Sequence, residues 1–373
     1  MRILLISLAF APYSGVGAAR MTSLAAYLSK HKHYVHVIAY DKSFYKENEC
    51  KRPIPNNVTI SYIACAENKK ENIINLQKAI CKVIFDNSID LCIYSVGPYD
   101  LINRMPRIKN ITGVPYVIDY RDIWLFDCFP EGCGIVYKVK SIVYSLLMCL
   151  TERRAFKNAS EIVFVTQGCL EKMMKRYHLK SDKLKLIYNG YENKYTYTEE
   201  KKTDDFVLAV AGKFRYYNPR AAVAVLDACE KGCVKLVHVG IPDEEFQNNY
   251  RSSVYDYRGV KSYKETLDIL AEADAFVITY QHKIGLGTKV FDYLAMNKPI
   301  IYVGPQNTEL AGFVSSWENG YVCENEENII QVLQKLKQGN HIKLSNDDID
   351  FFSREQQNIL YEEILLEIVE EKK

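Results

Sequence analysis

Apolar positions along the chain come in short continuous runs separated by amphipathic stretches. Ile3–Ser7 is an unbroken apolar run, the pattern of a strand covered on both faces. Pro12–Gly17 interrupts it as a loop. Ala18–Ser29 then places Met21, Leu24, Ala25 and Leu28 on one side at helical spacing. The alternation continues. Strands are predicted over Val35–Ala39, Val58–Ile63, Leu91–Ser95, Pro115–Asp119, Glu161–Thr166 and Leu184–Ile187. Helices are predicted over Ile73–Phe85, Pro98–Lys109, Ile135–Lys157 and Gly168–Arg176. A second set follows, with strands at Phe206–Ala211, Lys235–Val239, Val254–Tyr257, Ala275–Thr279 and Ile300–Val303. Its helices lie near Arg220–Glu230, Tyr263–Ala271 and Val290–Ala295. Strands alternating with helices imply a parallel sheet with helices on both faces. Two such sets imply an α/β chain of two Rossmann-like, doubly wound domains.

The division between the sets is polar. Tyr191–Asp205 (YENKYTYTEEKKTDD) has no apolar periodicity and reads as a linker and hinge. The expected organisation is a domain over 1–190, a linker over 191–205, a second domain over 206–345, and a terminal segment over 346–373. In that last segment a helix, Arg354–Val369, follows an acidic loop and is expected to pack back on the first domain. A length of 373 residues suits two domains.

Charge and cysteine content narrow the partners. Lysine and arginine total 48 against 46 acidic residues, so nothing demands a nucleic acid. Eleven cysteines lack the paired Cys-x-x-Cys spacing of a metal site and read as reduced thiols of a cytoplasmic protein. MRILLIS does not read as a signal peptide, because its apolar run ends at Pro12. No run approaches the 18 or so apolar residues of a membrane span. The nearest, Ile142–Leu150, is flanked by Lys138, Lys140, Glu152, Arg153 and Arg154. It suits either a core helix or a helix grazing the inner face of a membrane.

Open parallel sheets bind ligands beyond the carboxyl ends of their strands, so the residues there are the candidates. Gly15 and Gly17 follow the first strand and open a helix, which lets a phosphate approach bare amides. Arg20 occupies the place where a complete dinucleotide fingerprint needs a small residue. Asp119, Tyr120, Arg121, Asp122 and Trp124 follow the strand ending at Asp119. They suit either a salt-bridged loop or a polar wall for a hydroxyl-rich substrate, with Trp124 as a stacking surface. Gly212, Lys213 and Arg215 follow Val207–Ala211, and two cations there suit a diphosphate. Gly287, Thr288 and Lys289 open a helix, and Asp292 comes one turn in. Lys289 and the helix amides suit a phosphate, and Asp292 suits two vicinal ribose hydroxyls. Asp292 also favours the helix as a first-turn acid.

These segments, in order, resemble the GT-B glycosyltransferases, and glycosyltransferase family 4 in particular. ILLISLAFAPYSGVGAARMTSLAAYL resembles the family's opening strand, glycine loop and helix. VPYVIDYRDIW is similar to its acceptor-side loop, and LIYNGYE to the segment leading into the linker. YRGVKSYKETLDILAEADAFVIT and GTKVFDYLAMNKPII resemble the donor half. The resemblance implies two domains facing each other across a cleft. It also implies a retaining, metal-independent transferase of hexosyl type that needs no cofactor beyond its UDP- or GDP-linked sugar. Its partners would be that nucleotide sugar and a glycan or lipid-linked acceptor, in bacterial surface polysaccharide synthesis; contact with a membrane is expected only from the Ile135–Arg154 stretch, apolar and then basic, which equally suits a core helix.

Carried over by position, Gly15 and Gly17 would lie near the donor phosphate. Lys213 and Lys289 would neutralise the diphosphate, and Asp292 would bind ribose. The family's partner acid to Asp292 would fall at Ile284, where no acid stands. A histidine often found after the strand ending at Asp119 is replaced by Arg121. A guanidinium cannot serve as a base at neutral pH, but it can position a sugar or phosphate. Asp348-Ile-Asp350 has the Asp-x-Asp spacing used for metals elsewhere and is set aside as part of a charged loop. Two rivals are a sugar-nucleotide epimerase on the same fold and a non-catalytic nucleotide- or glycan-binding module. A NAD-dependent oxidoreductase fits less well, because the glycine fingerprint is incomplete.

Overall fold

The structure is a computed structural model. It describes residues 1–46, 52–97, 99–121, 123, 134–192, 194, 205–339 and 342–371. Asp122, Trp124 and most of the predicted linker lie outside the described residues.

The chain forms two compact units. Met1–Tyr188 and Gln357–Lys373 make the first, and Asn189–Gln356 the second. The first unit runs β1 (Arg2–Ile6), α1 (Val16–Lys30), β2 (Tyr34–Tyr40), β3 (Val58–Ile63), α2 (Lys69–Asn87), β4 (Leu91–Ser95), α3 (Met105–Thr112) and β5 (Tyr116–Tyr120). It continues with α4 (Ile135–Asn158), β6 (Ile162–Phe164), α5 (Gln167–Tyr177) and β7 (Leu184–Leu186). The strands form one parallel sheet in the order β3-β2-β1-β4-β5-β6-β7. Burial on both faces explains the continuous apolar runs: Ile3, Leu5, Val35, Val37, Ile93 and Val117 share the core on one face, and Leu4, Ile6 and Ile38, which alternate with them, are buried as well.

The second unit runs β8 (Val207–Gly212), α6 (Pro219–Gly232), β9 (Lys235–Gly240), α7 (Glu244–Asn249), β10 (Tyr255–Tyr257), α8 (Tyr263–Ala271) and β11 (Ala275–Thr279). It continues with α9 (Lys289–Ala295), β12 (Ile300–Val303), α10 (Glu309–Ser315), β13 (Gly320–Cys323), α11 (Glu326–Lys337) and α12 (Asn346–Asp350). Its strands are parallel in the order β10-β9-β8-β11-β12-β13. Leu208, Val210, Val225, Leu226, Val277 and Ile301 lie in its core.

Both sheets reverse their strand order at one point, between β1 and β4 in the first and between β8 and β11 in the second. At such a switch point the flanking loops diverge and leave a crevice at the strand ends. The candidate residues after β1, β8 and β11 therefore stand at the two crevices.

The sequence reading did not include α7, α10, β13, α11 or α12, and three further features differ from it. The helix expected over Pro98–Lys109 is a 3₁₀ turn at Tyr99–Arg104 followed by α3, because Pro106 starts a new helix more readily than it continues one. α1 begins at Val16, so Gly17 sits inside its first turn rather than in the loop. The division between units also moves. Tyr191 N–H donates to the Phe352 carbonyl at 3.1 Å, and Arg354 N–H donates to the Tyr191 carbonyl at 2.8 Å. These bonds tie Asn189–Glu192 and 346–356 into the second unit. α13 (Arg354–Glu370) carries the chain onward, and from Gln357 it belongs to the first unit. There Tyr361, Ile364, Leu365 and Ile368 join the core around β1 and β2.

Candidate functional site

In the second unit the end of β8 and the start of α9 are laced together. Lys289 Nζ donates to the carbonyls of Ala211, at 2.7 Å, and Lys213, at 3.4 Å. Ala211 N–H donates to the Tyr293 hydroxyl at 2.7 Å. Lys289 and Tyr293 are one helical turn apart, so α9 holds both polar groups of Ala211. Burial lowers the Lys289 ammonium to about 8.

The turn after β8 is fixed from the other side by β9. His238 Nε2 meets the Gly212 carbonyl at 2.9 Å, and His238 Nδ1 meets the Tyr255 hydroxyl at 2.7 Å. A carbonyl only accepts, so Nε2 carries the proton and the tyrosine donates to Nδ1, which leaves the ring neutral. Burial also pushes the His238 pKa down. Gly240 comes so close that a Cβ there would lie 2.2 Å from the Gly212 carbonyl oxygen, and its φ is +152°. Only glycine fits there.

Asp292 projects from the first turn of α9 toward α8. Tyr263 Oη donates to Asp292 Oδ1 at 2.7 Å. Burial raises the Asp292 carboxyl to about 6, against the opposing pull of that hydrogen bond and of Arg354. Arg354 is itself held by Glu192 and donates to the carbonyls of Asn189 and Gly190, each at 3.2 Å. The Asn-Gly segment and the acid thus belong to one polar neighbourhood. Sequence reading singled out Asp292 and the Asn-Gly segment; it did not find Tyr263 or Arg354.

The remaining donor-side candidates are placed variously. Lys213 Nζ stands 4.1 Å from the centroid of the Tyr216 ring, in cation–π range. Tyr216 and Tyr217 pack at 5.0 Å, and Tyr217 continues to Tyr280 and His282 at 5.5 and 6.3 Å. This aromatic group at the ends of β8 and β11 was not foreseen, although Tyr216-Tyr217 stands beside Lys213 in sequence. Arg215 turns away to Glu245 and Asp243. Gly287 lies in the loop before α9 with φ +70°, and Thr288 precedes the helix without capping it. Gly285 N–H donates to Glu309 Oε2 at 2.8 Å.

In the first unit Arg121 reaches across the switch point. Its Nη1 donates to the Gly17 carbonyl at 2.5 Å and its Nη2 to the Val96 carbonyl at 3.3 Å. One guanidinium therefore links the segments that follow β1, β4 and β5. A Cβ on Gly17 would lie 3.1 Å from Arg121 Nη1, and one on Gly15 would overlap the Tyr13 ring at 2.3 Å.

Asp119 and Tyr120 need correction as acceptor-side residues. Both are 0 % exposed. Arg20 Nε and Nη2 donate to Asp119 Oδ2 at 3.1 and 2.9 Å, and Arg20 Nη1 donates to the Tyr188 carbonyl at 2.7 Å. The Tyr120 hydroxyl donates to Glu152, buried on α4, which also accepts from Tyr177. These two residues face inward and brace the loop instead of lining a substrate wall. Among the described residues no three His, Cys, Asp or Glu side chains gather as a metal site.

The sequence model of Glycosyltransferase Family 4 matches residues 17–194. No curated protein is matched by the sequence. Among solved structures, Anabaena HepE in complex with UDP is similar at 14% identity and a TM-score of 0.68, with 98% of this chain and 100% of that chain covered. Sucrose-phosphate synthase from Thermosynechococcus elongatus is similar at 16% identity and a TM-score of 0.68, with 99% of each chain covered. UDP-GlcNAc 2-epimerase from Methanocaldococcus jannaschii is similar at 13% identity and a TM-score of 0.61, with 98% of this chain and 99% of that chain covered. At such identities the likeness establishes the fold.

Proposed function

We infer that this chain, a family 4-like glycosyltransferase of the GT-B fold, moves a sugar from a UDP- or GDP-linked donor to a glycan or lipid-linked acceptor. The observation that carries this reading is the Lys289–Ala211–Lys213 arrangement at the switch point of the second sheet, with Asp292 three residues along. An ammonium has three N–H donors, and two of those of Lys289 go to carbonyls. The third is available to a phosphate oxygen. Lys213 supplies a second positive charge. Together they offset the charge that develops on the departing diphosphate. Asp292 keeps lone pairs beyond the one taken by Tyr263, and these accept from ribose hydroxyls. HepE holds UDP in its own structure, which supports a uridine nucleotide as the first donor to try.

Retention of configuration, independence of metal ions, the absence of a cofactor and a role in bacterial surface polysaccharide synthesis extend the same reading by family likeness. Arg121 is the first unit's contribution, as a positioning group for the acceptor side. The epimerase neighbour keeps one rival in view, since it shares the fold and binds a similar donor class by name. The rival needs an acid/base pair and no acceptor.

A thermal-shift screen against UDP, GDP, ADP and CMP, with their sugars, tests the reading. One of the first two nucleotides is expected to raise the midpoint, and its sugar form to be consumed when acceptor glycans are added. No stabilisation by any nucleotide would overturn the donor assignment. Interconversion of the donor without acceptor would favour the epimerase.

A further inference from the structure

Between α2, the 3₁₀ turn at Tyr99–Arg104 and α4 of the first unit lies a cavity of about 250 Å³. Three cations line it: Lys69, Lys70 and Arg104. Their places in the chain run against local preference. Lys69 and Lys70 are the first two residues of α2, and Arg104 is the N-cap of α3. A helix N-terminus carries partial positive charge and favours acids. α7, α11 and α12 begin accordingly, each with two acids in the first turn. α2 and α3 instead bring two helix starts and three cations to one cavity, against one first-turn acid, Glu71, that does not line it. Among the described residues none of the three cations has an ion pair or a side-chain hydrogen bond, and no carboxylate lines the cavity. Like charges gathered in this way repel unless an anion offsets them, and local rules give way in this manner at functional sites.

We propose that this cavity binds a small phosphorylated polyol, a monosaccharide phosphate in size and chemistry, with the phosphate on the three cations. A phosphate monoester carries nearly two charges at neutral pH and three acceptor oxygens, which suit cations converging from two segments. A carboxylate offers one charge and two oxygens. The rest of the lining fits the rest of the ligand. Tyr99, Asn103 and Thr151 supply hydroxyl and amide groups for polyol hydroxyls. Ile73 and Met148 supply apolar surface for its C–H face. The volume falls below the roughly 300–1,000 Å³ of sites for drug-sized ligands, so the occupant is small. The cavity belongs to the first unit, whereas Lys213, Lys289 and Asp292 belong to the second. The site therefore stands whether or not the donor assignment does.

Calorimetric titration of the full chain with glucose 1-phosphate and glucose 6-phosphate tests it, without nucleotide present. Inorganic phosphate, glucuronate and glucose are titrated beside them. The tighter sugar phosphate is expected to bind about tenfold or more above glucuronate and several-fold above inorganic phosphate, with glucose silent. Its affinity is expected to fall as salt rises. Lys69→Gln with Lys70→Gln, and separately Arg104→Gln, are each expected to weaken it about tenfold or more and to leave the response to UDP or GDP unchanged. Without ligand, these variants are expected to melt at or above the wild-type midpoint, since each removes positive charge from a helix start. No binding of either sugar phosphate, equal binding of glucuronate or inorganic phosphate, or affinity unchanged in the variants would each overturn the proposal. So would unliganded variants that melt lower than wild type, the mark of cations placed for structure. A nucleotide thermal shift on the same samples reads the donor site separately.

Discussion

Lys289 Nζ donates to the Ala211 carbonyl at 2.7 Å, so a cation from the first position of α9 is held at the end of β8. Burial has already lowered its pKa to about 8. The ammonium is charged below that pH and neutral above it, and a bound diphosphate favours the charged form. Nucleotide affinity should therefore be level up to about pH 8 and fall about tenfold by pH 9. Lys289→Met, which keeps the stem, should bind weakly at neutral pH and show no such decline. Calorimetric titration of UDP or GDP across pH 7–9 checks both. An identical decline in wild type and variant would remove Lys289 from the phosphate site.

Asp292 presents a conflict between binding and stability. Burial raises its carboxyl from 3.8 to about 6. The fold therefore disfavours the charged form. The penalty is absent well below pH 4, grows as pH rises through that interval, and is complete above pH 6. At pH 7 Asp292→Asn should stabilise the unliganded protein, by about 2 kcal/mol, while keeping an oxygen to accept from Tyr263. The same change should weaken nucleotide binding about tenfold, because a neutral amide is a poorer acceptor for two hydroxyls. Denaturant unfolding of the free protein and calorimetry of the complex measure the two effects. A variant that is less stable and binds equally well would mark Asp292 as structural.

The parts of this architecture that depend on near neighbours in sequence were legible there. Ile3–Ser7 and Ala275–Thr279 announce buried parallel strands by composition, and Gly212-Lys213 and Lys289–Asp292 follow strands as a switch-point site should. α11 carries readable signals too: an Asn325 cap and Ile329, Leu333 and Leu336 at helical spacing. β13 does not, since four residues beginning at Gly320 show no period. What could not be read is partner choice over distance. Arg20 and Asp119 are 99 residues apart, and only the fold turns a promising polar wall into an internal brace. Tyr263 and Asp292 are 29 apart, and Arg215 and Glu245 are 30 apart. Spacing predicts a face of one element, whereas these pairings join different elements.

The Arg20–Asp119 pair yields a stability prediction distinct from any effect on chemistry. Both side chains are buried, with Asp119 fully so. Removing one member leaves the other charge without its partner, which costs about 3–5 kcal/mol. Asp119→Ala should lower stability by that amount in urea unfolding and drop the thermal midpoint accordingly. Arg20→Ala should cost a similar amount, and the double variant less than the sum of the two. Additive losses would show that the two side chains do not act as a pair.

Arg121 is expected to act through position. It donates to the Gly17 and Val96 carbonyls and so fixes the loops after β1 and β4, next to the end of β5. It cannot take a proton at neutral pH. Arg121→Ala should therefore lower kcat about tenfold while leaving the donor KM nearly unchanged, because the charged donor-binding candidates Lys213, Lys289 and Asp292 belong to the second unit, and the Gly15–Gly17 segment that Arg121 braces offers a phosphate only backbone amides. Arg121→Lys should recover only part of the rate, since an ammonium cannot reproduce the fork that meets two carbonyls on separate segments. The pH profile should keep its shape in both variants. A lost limb in the profile of Arg121→Ala would show that Arg121 tunes a titrating group directly, and a raised donor KM would place it at the donor instead.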